Sequence, residues 1–143
     1  DGDRAYRLFR MLNPINHALN YSDMMKYKQE PYVMSADVYS SFPHAGRGGW
    51  SWYTGSAGWM YQAALEGILG IRIQDDKLTI LPCVPPNWKE FEVKYRFKNT
   101  PYNIKVKLPN LDQENILLDG RKIESFPVTL VDDGISHSLE IHL

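Results

Sequence analysis

The spacing of the apolar side chains changes at about Gly70, and this change constrains the fold more than any other feature of the chain. Before it, Ala5, Leu8, Phe9 and Leu12 recur at the three- and four-residue spacing of an amphipathic helix. After it, apolar and polar residues alternate, as they do in strands with one buried face. The chain is 143 residues long, the size of one ordinary domain. The two patterns predict an α+β chain in which helices precede an antiparallel β-sheet.

The alternating half predicts a β-sandwich over residues 71–143. Four segments carry the alternation, with apolar residues at Leu78 and Ile80; Phe91, Val93, Tyr95 and Phe97; Ile104, Val106 and Leu108; Leu139, Ile141 and Leu143. Turn-forming residues separate the segments: Asp75-Asp76, Pro85-Pro86-Asn87, 98–101, Pro109-Asn110, Asp119-Gly120 and Asp132-Asp133-Gly134. Short strands with regular turns are typical of sandwiches.

The helical half contains two predicted helices with a short turn between them. The first ends at Asn13-Pro14, because the residue before a proline avoids the helical conformation. Ser22-Asp23 can cap a short turn that contains Met24, Met25 and Tyr27. The second helix, from about Ser56 to Leu69, is apolar on nearly every side and carries one charge, Glu66. A helix of this kind is buried among other elements, and one short companion cannot bury it. We therefore expect the chain to be a fragment of a larger helical unit, and its start at Asp1, without a Met or a signal-peptide pattern, agrees with this.

The segment from Gln29 to Tyr53 predicts a long loop that is rich in aromatic residues. Loops of this length in compact proteins are usually functional or disordered, and the aromatic content argues against disorder. Aromatic rings pack on the apolar faces of sugars, and they also fill ordinary cores. Both interpretations stay open for the cluster formed by Trp50, Trp52, Tyr53, Trp59 and Tyr61.

Composition excludes several classes of function. The net charge is −1 with no long run of one sign, so neither nucleic acid nor an acidic membrane is expected as a partner. No stretch approaches the roughly 20 apolar residues of a membrane span. The four histidines, His17, His44, His137 and His142, lack ligand spacing, so no metal site is predicted. Cys83 is the only cysteine and predicts a small buried residue and a cytoplasmic location.

The run Thr54-Gly55-Ser56-Ala57-Gly58 resembles an anion-binding turn. Small residues let the backbone approach a ligand, and the following helix directs its N-terminus and positive dipole end there. The alternative is a capped helix start whose glycines permit close packing. Gly46-Arg47-Gly48-Gly49 lacks the lysine of a P-loop, which disfavours nucleotide binding. Loop carboxylates such as Glu30 and Asp37 are candidates for glycoside chemistry or ordinary surface groups.

Two long runs resemble glycoside hydrolase family 94, namely Lys28 to Tyr39 (KQEPYVMSADVY) and Pro43 to Tyr61 (PHAGRGGWSWYTGSAGWMY). The family includes cellobiose and chitobiose phosphorylases, 1,2-β-oligoglucan phosphorylases and the C-terminal module of cyclic β-1,2-glucan synthases. Segments 1–5, 12–15 and 81–88 resemble the β-1,2-glucan branch. The resemblance implies that residues 1–70 are the last helices of an (α/α)6 barrel and that residues 71–143 are a C-terminal β-sandwich.

The resemblance also implies a reaction, inverting phosphorolysis, in which a catalytic Asp protonates the glycosidic oxygen while inorganic phosphate attacks the anomeric carbon. It assigns phosphate binding to Thr54, Gly55 and His44. It assigns substrate binding to Glu30 and Lys28, with Tyr32 of the Glu-Pro-Tyr segment and Trp52 of the aromatic cluster as further candidates. Inorganic phosphate is a co-substrate, and no cofactor is implied.

The family's catalytic Asp lies upstream of the matching motifs, and no residue of this chain takes its place. We therefore expect the chain to be inactive alone and to act with the remainder of its parent polypeptide on a β-linked glucan, with a β-1,2 linkage favoured. If the parent polypeptide is a membrane-anchored cyclic glucan synthase, we expect this chain to lie on the cytoplasmic side of the membrane. The alternatives are a non-catalytic carbohydrate-binding module and a structural tail that braces a barrel or mediates a homodimer.

Overall fold

The computed structural model describes residues 1–52, 54–108 and 115–143, with the backbone alone at Thr54. Helices come first: α1 (Gly2–Leu12), a 3₁₀ turn (Pro14–His17), α2 (Tyr21–Tyr27) and α3 (Thr54–Gln62), which continues as a π-helical segment (Ala63–Ile68). Within the described residues eight strands follow, in two sheets. The α+β class expected from the change of period is confirmed.

The first helix agrees with its prediction. The Asp1 carboxylate accepts a hydrogen bond from the Arg4 amide at 3.1 Å and caps the N-terminus. The helix ends at Leu12 because Asn13 takes an extended conformation, with φ −70° and ψ 119°, ahead of Pro14.

The cap predicted for α2 is wrong by two or three residues. The helix begins at Tyr21, and Asn20 caps it by accepting a hydrogen bond from the Asp23 amide at 3.0 Å. Asn20 stands three residues before that amide, where a capping side chain reaches the free N–H groups of the first turn. Ser22 and Asp23 are thus inside the helix.

The predicted helix Ser56–Leu69 is present but differs in its start and its hydrogen bonding. It begins at Thr54, and after Gln62 its hydrogen bonds lengthen to the π pattern, as in the bond from Leu69 N to Ala64 O at 2.9 Å. The π-helical segment contacts α1 and β1. Within the described residues Ile68 is therefore buried, whereas Trp59 and Tyr61 are 74% and 68% exposed.

The smaller sheet has three antiparallel strands in the order β1 (Ile71–Gln74), β2 (Lys77–Ile80) and β7 (Val128–Thr129). The larger sheet has the order β3-β4-β8-β5-β6, formed by Glu90–Phe97, Thr100–Lys107, His137–His142, Asn115–Leu118 and Arg121–Ile123. The expectation of a purely antiparallel sandwich is wrong at one pair, because β8 lies between β4 and β5, antiparallel to β5 and parallel to β4. The chain passes through β5, β6 and β7 between β4 and β8, and a connection of this length allows β8 to pair in parallel with β4.

Both sheets contribute to one hydrophobic core. Leu78 and Ile80 of the smaller sheet are fully buried together with Ile104 of β4 and Leu139 of β8. Leu65 and Leu69 of the third helix pack against the same cluster. The helical half thereby meets the sheets through the end of its last helix.

The four predicted alternating segments correspond to β2, β3, β4 and β8. The other strands have two to four residues each and lie outside the predicted segments. The turn expected at Pro109-Asn110 lies outside the described residues. In the part of the chain that is described, no helix has the length and apolar character that a membrane crossing requires.

Candidate functional site

The predicted loop is folded back on itself over residues 36–50, which we call the arm. Ala36 N donates to Trp50 O at 2.8 Å and Tyr39 N donates to Arg47 O at 2.9 Å, which sets an antiparallel register. An isolated bridge pairs the residues between them. The segment expected to be irregular therefore has a defined two-stranded geometry.

Hydrogen bonds from the end of α2 hold the base of the arm. The amide of Gly48 donates to the carbonyl of Tyr27 at 2.8 Å, and the Tyr27 hydroxyl pairs with the Ser35 hydroxyl at 2.8 Å. The Gln29 side-chain amide donates to the carbonyls of Gly48 and Gly49 at 3.2 Å and 2.5 Å. Hydrogen bonds thus join residues 27–29 to residues 48 and 49, in the second half of the arm.

Two glycines of the Gly46–Gly49 run have a packing role. Gly48 is buried, and a Cβ there would collide with the side chains of Gln29 and Ser35. A Cβ at Gly49 would collide with the Asp37 carboxylate. Close side-chain contact therefore explains these glycines.

His44 lies near the tip of the arm and is exposed. Its amide donates to Ser41 O at 2.9 Å, its carbonyl accepts from Arg47 N at 2.9 Å, and its ring lies 6.2 Å from the Tyr39 ring. The arm thus fixes the backbone of His44 and presents its ring to solvent.

The candidate sugar-binding residues flank the arm. Lys28 is exposed and has a left-handed φ of 54°, which ends α2, and Glu30 is half-buried. Tyr32 and Trp52 are 77% and 71% exposed. No hydrogen bond or ion pair among the described residues involves the side chains of Lys28 and Glu30.

The candidate phosphate-binding turn is the start of α3, where Thr54 is the first helical residue. Its first turn carries no acidic side chain. A Cβ added at Gly55 or Gly58 would meet nothing within 4 Å, so close packing does not account for these glycines in the described part of the chain. Tyr53 and the Thr54 side chain lie outside the described residues, and the role of Thr54 stays a prediction.

The structure joins some of the candidate residues and not others. The Gln29 side chain hydrogen-bonds to the carbonyls of Gly48 and Gly49, so the Lys28–Glu30 segment contacts the second half of the arm. This half of the arm leads to Trp52 and α3. No described contact links His44 with Gly55. Gln29 and Tyr27 are not predicted from the sequence, because neither belongs to a recognisable motif and the partners of their side chains lie 8 to 20 residues away.

A group of charged residues lies apart from this site, at the start of β8. His137 Nδ1 lies 2.6 Å from Asp119, and its Nε2 lies 3.2 Å from Asp133. The hydrogen bond to Asp119 raises the pKa of His137 above its ordinary value of 6.5. Hydrogen bonds from the amides of Ser138 and Ile135 lower the pKa of Asp119 and Asp133, respectively. Among the described residues no cluster of ligands fits a metal ion.

Comparisons with known proteins agree with the sequence motifs. Residues 1–70 match the family described as "Glycosyl hydrolase 94 superfamily, catalytic domain". Cyclic beta-(1,2)-glucan synthase NdvB of Rhizobium meliloti is 52% identical over 104 residues, 73% of this chain and 4% of that protein. N,N'-diacetylchitobiose phosphorylase of Vibrio furnissii is 34% identical over 133 residues, 87% of this chain and 16% of that protein. Solabiose phosphorylase of Paenibacillus borealis is 28% identical over 146 residues, 99% of this chain and 19% of that protein.

The chain spans between 4% and 19% of the length of these three relatives. The family match covers the three helices, the arm and the segments that connect them, and this stretch contains every candidate site residue. Through residues 1–70, the chain belongs to the glycosyl hydrolase 94 family.

Proposed function

We propose that this chain supplies the phosphate- and sugar-binding loop of an inverting phosphorylase, or of a cyclic glucan synthase module, that acts on β-1,2-glucan. The family match over residues 1–70 carries the proposal, because it covers the arm and the uncrowded start of α3. The β-1,2 linkage rests on the 52% identity to a cyclic beta-(1,2)-glucan synthase.

The proposed reaction transfers a glucosyl unit to phosphate. A phosphate oxygen forms a bond to the anomeric carbon, the bond from that carbon to the glycosidic oxygen breaks, and a general acid donates its proton to that oxygen. Phosphate replaces the water of an inverting hydrolase, so the site needs an anion-binding group in place of a second carboxylate. The general acid is proposed to come from the rest of the parent polypeptide.

The start of α3 is the proposed anion-binding group. The free amides of a helix N-terminus and the positive end of its dipole favour a phosphate. Thr54 and Gly55 are proposed to bind the phosphate there, without competition from an acidic side chain in the first turn. His44 is proposed to contribute from the tip of the arm.

The other candidates are proposed to hold the glucan. Glu30 would accept hydrogen bonds from sugar hydroxyls, and Lys28 would donate to them. Tyr32 and Trp52 offer exposed ring faces to the apolar face of a glucose unit.

The fold around the site is proposed to be that of the family. Residues 1–70 would complete an (α/α)6 barrel, and residues 71–143 would brace it as a sandwich domain. The parent protein is proposed to be cytoplasmic, or to be a membrane-anchored synthase with this part on the cytoplasmic side. The helical half supports the barrel assignment because it exposes many large apolar side chains, a feature of contact surfaces. These include Leu8, Met11, Leu12, Leu19, Trp59 and Tyr61.

The substitution Thr54→Ala tests the phosphate role in the longest natural polypeptide that contains this segment. The loss of one hydrogen bond to a charged ligand is worth about 1.5–3 kcal/mol, so phosphate affinity should fall about 10- to 150-fold. Affinity for the glucan should change far less. The control Thr79→Ala, in β2, should change neither affinity. Unchanged phosphate affinity in Thr54→Ala would remove Thr54 from the site.

A second candidate function is carbohydrate binding without catalysis. The exposure of Trp50, Trp52 and Trp59, at 69%, 71% and 74%, favours it, since such a module needs an open aromatic surface. A β-glucan that changes tryptophan fluorescence in a parent polypeptide that releases no glucose 1-phosphate would support this candidate over the first.

A further inference from the structure

Gln29 connects the two parts of the candidate site. It stands between Lys28 and Glu30, and its Nε2 donates to the carbonyls of Gly48 and Gly49. Both partners are acceptors, so the NH₂ end of the amide must face the arm. Its Oε1 is buried and meets no donor among the described residues, so the nitrogen alone holds the side chain there.

Packing restricts the same contact. Gly48 is buried with its Cα against the Gln29 side chain, so that an added Cβ would collide with Cγ. The Gly48 amide is bound to Tyr27 O at 2.8 Å. Residues on both sides of Lys28 therefore hold the arm at one point.

The bound residues lead directly to the rest of the site. Gly49 N donates to Asp37 O at 2.9 Å, and Trp50 N donates to the Asp37 carboxylate at 3.3 Å. Four residues beyond Trp50, Thr54 begins α3. Gly48 and Gly49 thus lie only six and five residues before Thr54, on the segment that leads into the proposed phosphate turn.

We propose that Gln29 is a positioning residue, which holds the arm against the Lys28–Glu30 segment so that the sugar and the phosphate are bound in one fixed relative geometry. This inference rests on the proposed function. Phosphorolysis requires both reactants at once, and a displacement of about 1 Å between reacting groups can reduce the rate by about 100-fold. Gln29 is proposed to touch neither substrate.

Three substitutions at this position test the role in the longest natural polypeptide. Gln29→Met keeps the length of the side chain and removes both hydrogen bonds. Gln29→Glu places a carboxylate oxygen against two carbonyls. Gln29→Lys keeps a donor that can reach the same carbonyls. The matched control is Gln74→Met, at an exposed position of β1.

The predicted readout is a change in kcat with little change in KM. With glucan and phosphate as substrates, Gln29→Met and Gln29→Glu should lower kcat by about 10- to 100-fold, as misplacement of reacting groups does. Each KM should stay within about threefold, because the binding groups themselves are intact. Gln29→Lys should recover most of the kcat lost in Gln29→Met, and Gln74→Met should match the wild type.

Hydrogen–deuterium exchange of residues 36–50 gives a second readout. It should be faster in Gln29→Met than in the wild type, while exchange in β3 and β4 is unchanged. If Gln29→Met fails to fold, Gln29→Glu, which preserves the shape of the side chain, takes its place.

The outcomes separate this inference from the proposed function. An active wild type with an unchanged kcat in Gln29→Met overturns the positioning role alone. A kcat loss that Gln29→Lys does not restore also overturns it, because the lost hydrogen bonds would then not be the cause. A wild type that releases no glucose 1-phosphate overturns the proposed function, and the positioning role with it.

Discussion

His137 shows how one residue links three segments of the larger sheet. Its ring stacks on Tyr102 of β4 at 5.0 Å and lies between Asp119, in the β5–β6 turn, and Asp133, in the segment before β8. Asp132 faces the same region, and Arg121 lies near Asp119. The carboxylates stabilise the imidazolium form, so the cluster should depend on pH.

The pKa shifts give the sign of that dependence. The pKa of His137 is raised above 6.5, so its contribution to stability is complete below that pH and is lost as pH rises through the folded-state value. The pKa values of Asp119 and Asp133 are lowered below 3.8, so their contribution is present above 3.8 and is lost on further acidification. The cluster should be most stable between about pH 4 and 6.5.

Hydrogen–deuterium exchange can test this dependence locally in the parent polypeptide, after correction for intrinsic exchange rates. Protection of residues 115–143 should decrease from pH 6 to pH 9 in the wild type. In His137→Gln that decrease should disappear, whereas the control His142→Gln should retain it. A pH-dependent loss of protection in His137→Gln equal to that of the wild type would contradict the assignment.

Sequence predicted the residues whose chemistry is local. The Asn-Pro end of α1 depends on its own backbone, so a local motif predicts it, and the small residues at the start of α3 are proposed to act through their backbone in the same way. Gln29 and His137 act on groups 19 residues and 18 residues away, and no local pattern reveals such partners. The family resemblance named Lys28 and Glu30 but not the residue between them.

The arm is the element on which the candidate site depends. Its register is set by backbone hydrogen bonds and by two glycines that admit the side chains of Gln29 and Asp37. The sequence predicts a loop here because glycine, proline and aromatic residues interrupt any alternation of apolar and polar residues. The short bridge between Val38 and Gly48 involves too few residues to leave a period.

The substitution Gly49→Ala should disturb the arm selectively. Its Cβ would collide with the Asp37 carboxylate, and relief of such overpacking costs about 1–3 kcal/mol. Amides of residues 36–50 should exchange faster with deuterium, and those of β3 and β4 should not change. The control Gly67→Ala places a Cβ in open space and should leave exchange in the arm unaltered.

The last helix and β8 have features that the local sequence pattern does not predict. The third helix has an uninterrupted apolar pattern, which predicted a single α-helix, yet its second half adopts π-type hydrogen bonds where it meets α1 and β1. The change coincides with these tertiary contacts, which the apolar pattern of the helix does not reveal. The parallel pairing of β8 with β4 likewise depends on the path of the whole chain.

Over the whole molecule, apolar surface is distributed unevenly. The sheets enclose a core in which Leu78, Leu139 and Ile141 are fully buried. The helical half leaves Leu19, Trp59 and other large side chains exposed. The sequence predicted this asymmetry, because its third helix is too apolar for one helical neighbour to bury.

Expressed alone, the 143-residue chain should therefore self-associate through its helical half. Exposed apolar patches of this kind drive association. Light scattering coupled to gel filtration should give a mass that rises with concentration above the 16.5 kDa of one chain. A constant monomeric mass over a wide concentration range would contradict a contact role for this surface.

The most direct test of the central claim is the release of glucose 1-phosphate from β-1,2-glucooligosaccharides. The assay uses the longest natural polypeptide that contains this segment, with cellobiose as the comparison substrate. We predict release that requires inorganic phosphate and is faster from the β-1,2 substrate. If neither substrate releases glucose 1-phosphate, the phosphorylase proposal is contradicted, and a role in binding or bracing takes its place.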